Sequence, residues 1–274
     1  MYWYVADETN FDFVAGKFFI YGGLAMSDQQ MLDLTRAVEE IRQKYGYERG
    51  DSLKFHTRAR PASVSIEDSK AAKRDVIAAV ERLGIRMIVY VILHDIAQAK
   101  ADHERMAFAL NTVTWAYKRF LRDQNDAGVF MMDRADEQHA HLASLFQHGI
   151  KVGGSHKPVD DRIKFFGMTS NNASHVSSAV DIALGGFRYC VNAAVGDGQQ
   201  VVAADIFPPL ARIVWSAEVG GVRYVRNFGF HPSPKTVNSA KFQAIYDELY
   251  AKLTEYSDTD SKQEPPAEAS AAAS

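Results

Sequence analysis

Cysteine is nearly absent from this chain of 274 residues, because Cys190 is its only one. A single thiol excludes an intrachain disulfide and a cysteine-rich zinc site, and it is compatible with a reducing cytoplasm. The chain also lacks an excess of basic residues: its formal net charge is −3 and its pI is near 6.3. Any site for a polyanion must therefore be a local patch rather than a global basic field.

Long apolar runs and the common nucleotide-binding signatures are missing as well. No stretch reaches membrane-spanning length and no basic segment followed by an apolar one opens the chain, so we expect a cytoplasmic protein with no membrane partner. There is no Gly-x-x-x-x-Gly-Lys phosphate loop, Rossmann glycine fingerprint or Gly-x-Ser-x-Gly elbow. Kinase, dehydrogenase and serine hydrolase functions are left without support. Hydrophobic residues make up 47% of the chain, enough for a substantial core.

Strand patterns open the chain and recur along it. Residues 2–6, rich in aromatics and Val, predict a buried strand that ends in Asp7-Glu8. Residues 16–24 predict a second strand that forms an antiparallel hairpin with the first. Further strands are predicted at 52–57, 85–93, 128–133 and 162–166.

Helical patterns separate these strands. Ser27 and Ser65 each stand where an N-cap is expected, with Gln30 and Asp68 three residues on. Periodic apolar positions predict further helices at 106–120, 137–147, 176–191 and 242–253. Pro208-Pro209 is expected to break the segment 201–215.

The composition divides the chain into three parts. Residues 1–195 carry the alternating helices and strands of an α/β domain, and residues 196–256 are expected to form a C-terminal extension packed on it. From 257 to 274 the sequence turns to Ser, Asp, Glu, Pro and Ala. Such a composition offers too little apolar surface to offset the entropy of ordering, so this tail is predicted to be disordered.

Acidic residues at the ends of predicted elements form the candidate catalytic site. Asp7 follows the first strand, Asp133 ends the strand 128–133, and Asp181 lies on the helix 176–191. We predict that the strand 128–133 lies beside the first strand and that the helix covers them, so that the three carboxylates can converge and hold Mg²⁺ or Mn²⁺ for phosphoryl transfer. Glu8 is a further candidate metal ligand only if the strand pleat ends before it. The alternative for each acid is a solvated turn or helix surface.

These segments also carry a resemblance to a known family. Residues 4–10, 52–55, 129–133 and 180–187 resemble a family of bacterial and phage proteins of unknown function, in which the first strand ends in an Asp-Glu-Ser-Gly-like motif. That family is grouped with RNase H-like nucleases. The resemblance implies an α/β fold with an RNase H-like mixed sheet, made of antiparallel first strands followed by parallel crossovers, with flanking helices and a C-terminal helical extension.

The resemblance also implies a function. It suggests a metal-dependent nuclease or phosphodiesterase that acts on nucleic acid, with Asp95 as a further candidate acid. The sequence departs from the family pattern at Thr9-Asn10, at Ser178, and at Ser52, where a glutamate often stands. Loss of that possible ligand favours the alternative, a non-catalytic RNase H-like binding module in phage defence or a mobile element. Self-association is left open.

Basic and histidine residues supply the remaining candidates. Lys54, Arg58 and Arg60 form a tight basic cluster, and an extended Arg58-Ala59-Arg60 would place both guanidinium groups on one side for phosphate binding. A basic surface loop is the alternative. The rival metal site would use three histidines, but positions i and i+2 of a helix point apart and the third residue is two turns away. These histidines are His139, His141 and His148.

Overall fold

The computed structural model describes residues 1–98, 100–152, 154–170, 174–219, 221–257 and 261–262. Its strands are β1 Tyr2–Thr9, β2 Phe18–Ser27, β3 Arg86–Leu93, β4 Gly128–Asp133, β5 Ile150–Val152, β6 Ser155–Lys157, β7 Ile163–Thr169, β8 Ala217–Val219, β9 Val222–Tyr224, β10 Phe230–Ser233 and β11 Ser261–Lys262. Its α-helices are α1 Asp28–Lys44, α2 Ile66–Arg82, α3 His94–Ala97, α4 Asp102–Asp123, α5 His139–His148, α6 His175–Ala194, α7 Gln200–Ile213 and α8 Ala240–Tyr256.

A six-stranded sheet organises this α/β fold, in the order β10-β3-β2-β1-β4-β7. Five of these strands run in one direction, because β2 is antiparallel to both of its neighbours and the other pairs are parallel. The hairpin of β1 and β2 is confirmed, as is the position of β4 beside β1. The sheet is thus mixed, mostly parallel and flanked by helices.

Strand alternation divides the buried residues between two cores. Trp3 and Val5 of β1 face a core covered by α1, α2, α6, α7 and α8. Tyr4 and Ala6 face the opposite core, which α4 and α5 cover. Both faces of the sheet are therefore packed against helices, which explains why the run in β3 is apolar at nearly every position.

The helix caps follow the local sequence. The Ser27 side chain accepts a hydrogen bond from the backbone N–H of Gln30, and the Gln30 side chain accepts one from the backbone N–H of Ser27, which confirms the capping box. The Ser65 side chain likewise accepts from the backbone N–H of Asp68. Gly84 follows α2 with a φ of 69°, a left-handed conformation that favours glycine.

Residues 52–57 do not form the predicted third strand. They run as an irregular segment into a 3₁₀ turn at Thr57–Ala59, N-capped by the side chain of His56. The segment is held over α6, where the backbone N–H of Phe55 donates to Asp181 at 2.6 Å, so it takes no place in the sheet. The third strand of the sheet is β3, which pairs antiparallel with β2 after two intervening helices.

The prediction that Pro208 and Pro209 break the segment around them is also wrong. Both lie inside α7, whose buried side chains include Phe207 and Leu210. Packing of this apolar face on the neighbouring core outweighs the low helix propensity of proline. Downstream of α7, β10 joins the edge of the central sheet beside β3, and α8 packs near α6 and α7.

Two sequence predictions, on the C-terminal tail and on membrane-spanning segments, can be compared only with the residues that the structure describes. Of the tail from 257 to 274, positions 258–260 and 263–274 lie outside them, so its disorder remains a prediction. Among the described residues no helix has the length and apolar character needed to cross a membrane.

Candidate functional site

Asp7 and Asp133 lie near the same end of two neighbouring strands of the sheet. The parallel pairing of β1 with β4 runs from Tyr2 opposite Gly128 to Ala6 opposite Met132, so the two aspartates follow directly on neighbouring strands. Asp7 shares the sheet face of Val5, beneath α6. Asp133 shares the face of Met131, whose side chain packs against the same core. The register therefore places both carboxylates on the α6 side.

Asp181 approaches this end of the two strands from α6, the helix that lies over β1 and β2. Its Oδ2 accepts the hydrogen bond from the backbone N–H of Phe55. This close approach depends on Gly185, because a Cβ there would lie 2.4 Å from Cβ and Cγ of Phe55. The carboxylate is half-buried although the helix around it is almost fully buried. Asp181 thus has one backbone partner and remains partly open to other groups.

The acidic residues Asp7, Glu8, Asp133 and Asp181, here called the acidic cluster, interact through their charges. Burial first, and then the charges of Glu8, Asp133 and Asp181, together raise the pKa of Asp7 to about 7, against the opposing effect of the hydrogen bond from the Glu8 backbone N–H. That bond is 2.8 Å long. A carboxyl group in this setting exchanges its proton near neutral pH, and a bound cation would favour its ionised form.

Glu8 interacts with the other acids through its charge, but its side chain lies on the opposite face of the sheet. β1 continues to Thr9, so alternation turns Glu8 toward the opposite side of the sheet, where it pairs with Tyr21. Burial raises the pKa of Glu8, and Asp133 and then Glu137 add to the effect. Glu8 therefore adds negative charge from the far face.

Tyr21 brings a buried hydroxyl next to these acids. Its side chain is fully buried, and its hydroxyl has no hydrogen-bond partner in the part of the chain that the structure describes. Burial first, then the neighbouring Tyr4, Glu8, Asp7 and Asp133, raise its pKa well above 10. The phenol therefore stays neutral and is available as a donor.

The predicted basic cluster has a different geometry from the one expected. Because residues 57–59 form a 3₁₀ turn, Arg58 and Arg60 do not alternate along an extended chain. Arg58 is exposed, whereas Arg60 is half-buried and its Nε lies in the interior. The assignment of Lys54, Arg58 and Arg60 to substrate binding remains a prediction.

Other sequence candidates have their own structural roles. The Asp95 carboxylate accepts a hydrogen bond from the backbone N–H of Gly16 at 2.7 Å. His141 contacts the Asn111 side chain at 3.0 Å. Two histidines that the sequence analysis did not assign to the site have partners as well: His175 pairs with Glu39 at 2.8 Å, and His56 caps the 3₁₀ turn.

Two residues near Asp181 were missed by the sequence analysis. The charges of Arg188 and Lys73 both interact with the carboxylate of Asp181. Arg188 lies seven positions after Asp181, or about two helical turns, so this spacing was a usable signal. Lys73 comes from α2, where its position on an apolar helical face gave no such signal.

Asn10 ties the end of β1 to its surroundings. Its φ of 58° is a left-handed conformation that asparagine tolerates. Its Oδ1 accepts from Arg188 at 3.2 Å, its Nδ2 donates to the Phe18 carbonyl at 3.3 Å, and its carbonyl accepts from His94 at 2.8 Å. These bonds fix the chain directly after Asp7 and Glu8.

The donor chemistry of the acidic cluster fits a hard divalent cation, because every candidate ligand is a carboxylate oxygen. The distances between the possible ligands fit a metal site less well. In the described ranges, no three His, Cys, Asp or Glu side chains stand close enough together to hold one metal ion.

Comparison with models of known protein families gave no match, and a search of curated proteins gave none either.

Proposed function

We propose that this chain is a divalent-cation-dependent phosphodiesterase of RNase H-like type that acts on nucleic acid, with Asp7, Asp133 and Asp181 as its catalytic carboxylates. The observation that carries the proposal is the parallel register of β1 and β4, which places Asp7 and Asp133 near the same end of neighbouring strands, on the face that α6 covers and from which Asp181 approaches. The raised pKa of Asp7 supports it: burial and the charge of Glu8 are the main causes, and the charges of Asp133 and Asp181 add smaller contributions.

The sheet arrangement supports the RNase H-like part of the proposal. β1, β2 and β3 are antiparallel to one another in turn, and β4 and β7 are added in parallel beyond β1, an order compatible with an RNase H-like mixed sheet. The structure departs from the order of three consecutive strands expected for that fold, because α1 and α2 lie between the second and third strands.

Each residue of the proposed site would have a separate role in the reaction. When bound, Mg²⁺ or Mn²⁺ would neutralise charge on the attacking and leaving oxygens of the phosphodiester. Asp7 and Asp133 would hold the cation from the sheet, and Asp181 would do so from α6. The Phe55 backbone N–H fixes the direction of the Asp181 carboxylate. Glu8 would strengthen the negative potential from the far face without serving as a ligand.

A second candidate function is a non-catalytic nucleic-acid-binding module with the same fold. It is favoured by Asp181, which already accepts a backbone hydrogen bond, and by the absence of a three-ligand group among the described side chains. Ser52, in place of a possible acidic ligand, points the same way.

Cleavage of labelled single-stranded DNA, duplex DNA, single-stranded RNA and an RNA–DNA hybrid in Mn²⁺ or in EDTA tests the proposal. We expect Mn²⁺-dependent cleavage of at least one substrate. Asp133→Asn should lower the rate about a thousandfold, because loss of several kcal/mol of charge stabilisation corresponds to that factor. Asp95→Asn is the matched control and should keep the wild-type rate. Binding of nucleic acid without cleavage in Mn²⁺ would favour the second candidate instead.

A further inference from the structure

Lys73, whose charge interacts with that of Asp181, and the nearby Arg60 form no ion pair with the residues that the structure describes. Lys73 is only 7% exposed, and its Nζ donates to the Thr57 hydroxyl at 2.9 Å. The same Nζ lies 5.7 Å from the centre of the Phe55 ring. Within the described residues, no carboxylate comes within 4 Å of this ammonium, although the charge of Asp181 acts on it. A buried ammonium with one neutral hydrogen-bond partner is poorly compensated.

Arg60 is the second cation. It follows the 3₁₀ turn that holds Thr57, and its charge acts on Lys73. Its Nε is buried and has no hydrogen-bond partner among the described residues. A buried guanidinium nitrogen without an acceptor is costly, because buried polar groups are normally hydrogen-bonded.

Like charges are thus gathered where the fold supplies little to neutralise them. Burial lowers the pKa of Lys73, and although Asp181 opposes this effect, Lys70 and Arg60 add to it. Lys70 differs from the other two because it is exposed and pairs with Glu67 at 2.9 Å. A purely structural role for Lys73 would be better served by an apolar side chain of similar volume.

From this geometry we propose that Lys73 and Arg60, together with the Thr57 hydroxyl, bind a phosphoryl group. Lysine holds phosphate as a point charge, arginine adds directed donors from its planar fork, and a threonine hydroxyl donates to phosphate oxygen. The site lies beside Asp181. Its assignment to a nucleic-acid phosphate, which rests on the proposed function, would place one backbone phosphate next to the acidic cluster.

Thermal unfolding of the full chain in EDTA tests the phosphoryl site without any divalent cation. Inorganic phosphate should raise the Tm of wild-type protein above that in sodium chloride of equal ionic strength. Lys73→Met should abolish this rise and Arg60→Gln should reduce it. Lys70→Met, which alters an exposed lysine one turn away, should keep it. No phosphate-specific rise in wild type, or an unchanged rise in Lys73→Met, would overturn the proposal.

Two further variants and a second ligand sharpen the result. If Lys73→Met does not fold, Lys73→Arg should retain the phosphate response and Arg60→Gln should still reduce it. Equal responses in wild type and Arg60→Gln would then overturn the proposed phosphoryl site.

With a single-stranded oligonucleotide in EDTA, Lys73→Met should weaken binding and lower the slope of its salt dependence by about one unit. Equal oligonucleotide affinities would overturn the assignment to a nucleic-acid phosphate. Asp133→Asn should leave the phosphate response intact, so failure of the metal centre and failure of this site are distinguishable.

Discussion

Asp7→Asn should make the protein more stable than wild type in EDTA, by on the order of 3 kcal/mol above pH 7. The reason is that the folded state raises the pKa of Asp7 from 3.8 to about 7. The folded protein therefore binds this proton more tightly than the unfolded chain does. Wild-type stability falls as pH rises from about 4 to about 7, whereas the asparagine variant lacks this contribution.

Urea unfolding at pH intervals from 4.5 to 8.5 measures the effect. The difference between Asp7→Asn and wild type should grow up to about pH 7 and then level off. Asparagine keeps an oxygen that accepts from the Glu8 backbone N–H, so the 2.8 Å bond to Asp7 need not be lost. Asp95→Asn serves as the control. Parallel pH profiles for wild type and Asp7→Asn would show that the acidic cluster does not perturb this carboxyl.

Gly185→Ala should destabilise the protein by about 1 to 3 kcal/mol, the usual range for overpacking. Its added methyl would lie 2.4 Å from Cβ and Cγ of Phe55, so the segment over α6 must shift. This shift would also break the 2.6 Å hydrogen bond from the Phe55 backbone N–H to Asp181. Any nuclease activity should fall with it, because Asp181 loses the group that directs it.

Gly186→Ala is a matched control on the same helix. Its added methyl would lie 3.2 Å from a Leu210 methyl group, a contact that a small side-chain movement relieves. Both substitutions gain about 1 kcal/mol of helix propensity, so the difference between them isolates the contact with Phe55. Urea unfolding of both variants measures it. Equal stabilities would mean that Phe55 does not depend on a glycine at 185.

The sequence predicted the elements whose signals are local. The first strand, the strand 128–133 and the caps at Ser27 and Ser65 depend on short patterns, and the structure confirms them. It also predicted that strand 128–133 lies beside β1, which places Asp7 and Asp133 near the same end of two neighbouring strands.

Features decided by tertiary contacts were not predictable in the same way. Residues 52–57 have a strand-like composition, yet their partner is α6 rather than a neighbouring strand. The segment with Pro208-Pro209 is helical because its apolar face is buried. Lys73 lies on an apolar helical face and gave no sign that it approaches Asp181, since α2 and α6 are far apart in sequence. Arg188 is the exception, because its spacing from Asp181 was visible.

The proposed divalent-cation site is tested most directly by Mn²⁺ binding, measured by electron paramagnetic resonance of the purified full chain. We expect wild type to bind Mn²⁺, and Asp7→Asn, Asp133→Asn and Asp181→Asn each to weaken binding by about a hundredfold, the effect of losing close to 3 kcal/mol of charge attraction. Asp95→Asn should bind as wild type does. Wild-type protein that binds no Mn²⁺, or three asparagine variants that bind it as tightly as wild type, would contradict a metal centre formed by these aspartates.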